Sequence, residues 1–135
     1  VEVYERYRAA LGGDPSEIAE VRAAAHGIAV RNGFADRAGD LVLALDEVLA
    51  NAQEHGQPPI EVDVRADGRL VVEVSDNGDG FDRADIWKSH PPDPLDRRGR
   101  GLWIIRQLSD LVSIDSGSGG TRVRIELSPD PHIGA

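Results

Sequence analysis

At Pro58-Pro59 the hydrophobic pattern of this chain switches period, from helical spacing to alternation, so the chain must combine helix and sheet. Before it, Leu41, Ala44, Leu45, Val48, Leu49 and Ala52 recur at helical spacing. They predict a helix over residues 40–55, ended by Gly56. After it, Ile60, Val62 and Val64 alternate with Glu61, Asp63 and Arg65, and Leu70, Val72 and Val74 repeat the alternation. Asp67-Gly68 between the two runs predicts a two-residue hairpin turn. A wide apolar helix stripe and a strand pair with one apolar face must bury each other, so the helix presses against the sheet.

The flanking segments extend this pattern. Residues 5–11 fit a first strand. Asp14-Pro15-Ser16-Glu17 reads as a helix start, with Asp14 as N-cap, Pro15 at the first helical position and Glu17 at the capping-box position. Ile18, Val21, Ala25 and Ile28 form its apolar face, and Gly33 is its stop. Residues 75–80 (SDNGDG) are too polar and glycine-rich for a ladder, and residues 81–98 carry three prolines and no period, as lids and binding loops do. Gly99-Arg100-Gly101 leads into a helix over 102–108. Strands are expected at 111–115 and 122–127 with a turn over 116–120, and the tail from Ser128 frays. The order β, α, α, β, β, loop, α, β, β is that of a two-layer α/β sandwich: a mixed, mostly antiparallel sheet with helices on one face. At 135 residues the chain is expected to form one domain over 1–135, with about two thirds of its surface buried.

Composition removes several classes of function. Fifteen basic against 24 acidic residues give a net charge of −9, which argues against bulk nucleic-acid binding. Lys88 is the only lysine and lies in no glycine loop, so there is no P-loop. The absence of cysteine excludes disulfides, thiolate zinc sites and thiol chemistry. No run reaches the roughly 18 apolar residues of a membrane span, and no signal peptide is legible. A soluble cytoplasmic protein is the expectation.

Within this frame, polar residues gather where chemistry needs them. Glu47, Asn51 and His55 follow at i, i+4 and i+8 and flank the apolar stripe of the second helix on one side. An Asn carbonyl suits Mg²⁺, and a carboxylate one turn earlier can take a proton from a hydroxyl. The same placement describes the shoulder of an amphipathic helix, with Asn51 tying down a neighbouring backbone. Asp76 ends a strand and opens Asp76-x-Gly78-x-Gly80. Its carboxylate can accept from an exocyclic amine, and Gly78 and Gly80 let backbone pass close to a flat ring; an acidic turn has the same letters. Gly99-x-Gly101 at a helix start, with Arg98 and Arg100 interleaved, offers backbone N–H groups and guanidinium forks to phosphate. It also fits an ordinary loop, as Gly119-Gly120-Thr121 fits an ordinary turn.

Together these segments resemble the Bergerat-fold (GHKL) ATPases, the group shared by gyrase, histidine kinases and MutL. Residues 45–56 (LDEVLANAQEHG) resemble that group's N-box. Asp76-x-Gly78-x-Gly80 resembles its first glycine box, Gly99-Arg100-Gly101-Leu102 the second and Gly120-Thr121 the last. ALDEVLANAQEHG and GRGLWIIRQLSD are similar to the bacterial anti-sigma factor serine/threonine kinases. The resemblance implies the Bergerat ATP-binding fold and a switch protein. Such a protein phosphorylates an anti-anti-sigma partner with Mg-ATP and binds a sigma factor; many members are homodimers.

By the same resemblance Glu47 is the catalytic base and Asn51 the Mg²⁺ ligand bridging to the phosphates. His55 helps the phosphate side, and Asp76 reads the adenine amino group. Gly78 and Gly80 shape the adenine pocket. Gly99, Gly101 and the Leu102 N–H line the triphosphate path, with Arg98 or Arg100 at the γ-phosphate. Thr121 stabilises the pocket beside Asp76. Two other readings stand beside this one: a nucleotide-binding interaction module with little kinase activity, and a detached histidine-kinase catalytic domain.

Overall fold

The computed structural model describes residues 5–12, 14–55, 57–78, 111–117 and 119–128. Along them run β1 (Glu5–Leu11), α1 (Pro15–Arg31), a 3₁₀ turn (Ala35–Arg37), α2 (Ala38–His55), β2 (Ile60–Ala66), β3 (Leu70–Asp76), β4 (Leu111–Gly117) and β5 (Gly120–Leu127). The expected excursion 81–98, the helix over 102–108, the stop at Gly56 and the tail past Ser128 lie outside the described residues.

Helix α1 starts on the expected cap. Asp14 Oδ1 accepts from the Ser16 N–H at 3.0 Å, and Glu17 Oε1 accepts in return from the Asp14 N–H at 3.0 Å. The helix ends at Arg31, and Gly33 turns the chain away at φ 87°. Helix α2 begins two residues earlier than its periodicity predicts, because the 3₁₀ turn feeds straight into it and Ala38 is already buried. All six predicted stripe residues of α2, Leu41 to Ala52, are buried.

The sheet order is β1-β2-β3-β5-β4, and every described pairing is antiparallel. Helix α1 packs on β1 and β2, and α2 packs on β3 and β5. Ile60, Val62, Val64, Leu70, Val72, Val74, Val123 and Ile125 face this helix layer and are buried with it. Each such aliphatic side chain contributes roughly 1.5–3 kcal/mol relative to exposure. The two-layer sandwich is therefore the observed architecture. Among the described residues no helix is long and apolar enough to cross a membrane.

Two turns differ from expectation. The β2–β3 connection holds three residues, not two: Ala66 pairs with Leu70, and the Asp67 N–H donates to the Arg69 carbonyl at 3.0 Å. The odd count keeps Ala66 and Leu70 on the same core-facing side, whereas a two-residue turn would set Ala66 opposite Arg69. The β4–β5 hairpin is also tighter than expected, since pairing continues to Gly117↔Gly120.

The sheet face away from the helices carries charge. Arg6 and Arg65 grip Asp63, Arg65 and Arg124 share Glu73, and Arg69 and Arg124 hold Glu126. Burial pushes the Asp63 carboxyl up, but Arg6, Arg65 and Arg8 together outweigh it and hold it below its ordinary range. The hydrogen bond from Arg69, reinforced by Arg124, holds the Glu126 carboxyl low against its own burial.

Candidate functional site

One end of the sheet gathers the polar residues singled out above. Asp76 is the last residue of β3 and pairs with Thr121 across to β5. It continues the phase of Val72 and Val74, so it lies on the helix side of the sheet. Thr121 is buried beside it. Past the strand the chain turns on its own side chain: the Gly78 N–H donates to Asp76 Oδ1 at 2.8 Å, and Gly78 is buried. The loop is also tied to the helix layer, because the Asn77 N–H donates to the Gln57 carbonyl at 3.2 Å.

That bond fixes which end of α2 meets the site. Gln57 follows the helix by two residues, so the C-terminal turns of α2 stand over the Asp76 end of the sheet. Asn51 lies one turn before the last residue, about 6 Å along the axis. Glu47 lies one turn further back, and both are half-buried. Asn51 Nδ2 is buried and has no hydrogen-bond partner among the described residues. Such a group costs about 1–3 kcal/mol of desolvation, so it calls for an explanation. A half-turn of the carboxamide presents its oxygen at the same place, and an Asn oxygen is a hard neutral ligand of the kind Mg²⁺ takes. The Asn51 side chain is thus of a kind that fits a cation beside phosphate, and its orphaned amide end, one of two such atoms among the described residues with Asn32 Oδ1, is the observation behind that fit.

A shallow cleft of about 440 Å³ at this sheet end opens on the face away from the helices, where Glu61, Ser75, Asp115 and Arg122 line it beside the Asp76–Asn77 and Gly120–Thr121 backbone. Glu47 and Asn51 do not line it; they belong to the helix layer. His55 is the last residue of α2. Gly80, Arg98, Gly99, Arg100, Gly101 and Leu102 lie outside the described residues. The structure therefore brings Asp76, Gly78 and Thr121 into contact range of one another and sets the α2 residues over the same end.

Two participants had no assigned role in the sequence. Gln57 acts through its backbone carbonyl, which no side-chain pattern signals. Gly120 approaches the Asp76 backbone so closely that an added Cβ would stand 2.0 Å from its carbonyl oxygen. The sequence placed it in the last glycine box, Gly120-Thr121, without a role of its own.

Comparisons with known proteins bear on the family and the fold. Residues 11–127 match the histidine kinase-like ATPase domain family. The chain is 35% identical over 122 residues to the serine-protein kinase RsbW of Bacillus velezensis, covering 80% of this chain and 76% of that one. It is 34% identical to RsbW of Bacillus subtilis over 122 residues, 79% and 76% of the two chains. Among solved structures, the RsbU and RsbW domains of Rv1364c from Mycobacterium tuberculosis superpose with TM-score 0.67 at 20% identity. That match covers 92% of this chain and 32% of the mycobacterial one, and it shows a shared fold. A histidine kinase domain from Erythrobacter litoralis shares the fold at TM-score 0.55 and 23% identity, over 84% and 64% of the chains.

Proposed function

The chain belongs to the histidine kinase-like ATPase family, and from that premise we propose that it is an ATP-dependent serine/threonine protein kinase and anti-sigma regulatory factor. Its substrate would be an anti-anti-sigma protein, its second partner a sigma factor, and its place of work the cytoplasm. The observation that carries this reading is Asn51: a buried carboxamide end without a partner among the described residues, at the N-box position, on the helix whose exit is tied to the Asp76 strand end.

In this reading Asp76 accepts a hydrogen bond from the adenine amino group, with Thr121 and Gly78 fixing its surroundings. Asn51 holds Mg²⁺ and the phosphates. When bound, the metal neutralises phosphate charge and orients the γ-phosphoryl group. His55, Gly99, Gly101, the Leu102 N–H and Arg98 or Arg100 take the remaining phosphate contacts, while Gly80 completes the adenine loop. Glu47 takes the proton of the seryl hydroxyl as that oxygen bonds to the γ-phosphorus. The bond from that phosphorus to the β–γ bridging oxygen breaks, and ADP leaves. Positioning and charge supply the catalysis, so no covalent enzyme intermediate is needed.

Transfer of label from γ-labelled ATP to a purified anti-anti-sigma protein tests the reading. Phosphoserine or phosphothreonine on the partner is expected, and Glu47→Gln should lower the rate by about 10²-fold or more while ATP still binds. ATP binding with no transfer to any such partner would instead identify a nucleotide-dependent interaction switch.

A further inference from the structure

We infer that Gly120 is a positioning residue for Asp76 and, through it, sets which purine the site accepts; the inference rests on the nucleotide reading above. Gly120 opens β5 at φ 121°, a backbone conformation that L side chains rarely adopt. A Cβ there would stand 2.0 Å from the Asp76 carbonyl oxygen, 3.0 Å from its carbonyl carbon and 3.1 Å from Asn77 Cα. All three are backbone atoms, so no side-chain rotation relieves the overlap. Any other residue at position 120 must push the Asp76–Asn77 peptide aside.

That peptide has little freedom to move. The Asn77 N–H is bonded to the Gln57 carbonyl at the exit of α2, and the Asp76 carboxylate is turned by the Gly78 N–H. Asp76 is thus gripped between the start of β5, the exit of α2 and its own loop. The neighbouring glycine shows that the grip is local. A Cβ on Gly119 would meet nothing within 4 Å, and its φ is not positive. Of the doublet, only Gly120 is required to be glycine by its surroundings.

The consequence is base discrimination. A fixed carboxylate accepts from the exocyclic amine of adenine and meets the carbonyl oxygen that guanine presents at the same ring position. A site built around one such hydrogen bond rejects the analogue that cannot make it. Displacing the Asp76 peptide by even a fraction of an ångström misaims the carboxylate and erodes the preference.

Calorimetric titration of the chain, Gly119→Ala and Gly120→Ala with Mg-ATP and with Mg-GTP tests this. The parent and Gly119→Ala should prefer ATP. Gly120→Ala should lose at least about tenfold in ATP affinity while its GTP affinity stays within about threefold. Equal loss for both nucleotides would reduce Gly120 to a structural residue and overturn the inference, as would an unchanged preference. A parent protein with no preference for ATP would instead overturn the nucleotide reading, and this inference with it. Where Gly120→Ala does not fold, Asn77→Pro releases the grip from the α2 side and must show the same selective loss. Its retention of the parental preference would overturn the inference.

Discussion

Ala66, Leu70 and Leu127 close one end of the sheet, and Asp76, Gly120 and Thr121 close the other. At the first end the inward side chains are apolar and fully buried; Arg37 donates to the Ser128 carbonyl and Arg69 to Glu126, while Asn32, bonded to Glu5 beside Ala66, keeps a buried Oδ1 without a hydrogen-bond partner among the described residues. At the second end a carboxylate and a hydroxyl take the inward positions, and the Asn51 amide end in the helix layer has no hydrogen-bond partner among the described residues. Each end also turns on a positive-φ glycine, yet with different surroundings. A Cβ on Gly68 would meet nothing within 4 Å, whereas one on Gly120 would overlap Asp76. The two ends thus differ in their inward positions, apolar at the first and polar at the second, and in the room around their glycines.

Three substitutions or conditions should separate the ends. The largest effect is expected at Asn51. Asn51→Leu should remove the thermal shift produced by Mg-ATP. In denaturant unfolding the free protein should be no less stable, and more stable by as much as about 1 kcal/mol, because an unpartnered buried amide is removed. A loss of stability in the free protein would show that the amide is a structural tie and blur the contrast. At the other end, Gly68→Ala should cost roughly 1–2 kcal/mol through backbone strain alone. It should leave nucleotide affinity unchanged, and a weakened affinity would mean that the two ends are coupled.

The smallest effect concerns acid. Asp63 and Glu126 have folded pKa values below their ordinary 3.8 and 4.5. Their contribution to stability is present above those values and is lost as the pH falls through the lower folded values. Unfolding midpoints measured downward from pH 5 should therefore fall, and Glu126→Gln should fall less steeply than the parent. An identical slope would remove Glu126 from the acid response.

The fold was legible because period carries it. Leu41 to Ala52, Ile60 to Val64 and Leu70 to Val74 are spaced for one buried face each, and all of them are buried. The hairpin loop was misread by one residue, since Asp67-Gly68 signals a turn while Arg69's place depends on which face Ala66 and Leu70 share. The candidate site was legible only as residue types, at Asn51, Asp76 and Thr121. Its geometry was not, because the ties that assemble it are backbone to backbone: Asn77 to Gln57, and Gly120 against Asp76. Backbone approach leaves only a glycine, or nothing, in a sequence.

On the function proposed above, the Asp76 end of the sheet reads adenine. Titration of the free protein with Mg-ATP, in parallel with Asp76→Ala, addresses it most directly. Saturable binding by the parent, and a loss of at least about tenfold in Asp76→Ala with the fold intact, is the expected result. Equal affinity of the two proteins for Mg-ATP would contradict it.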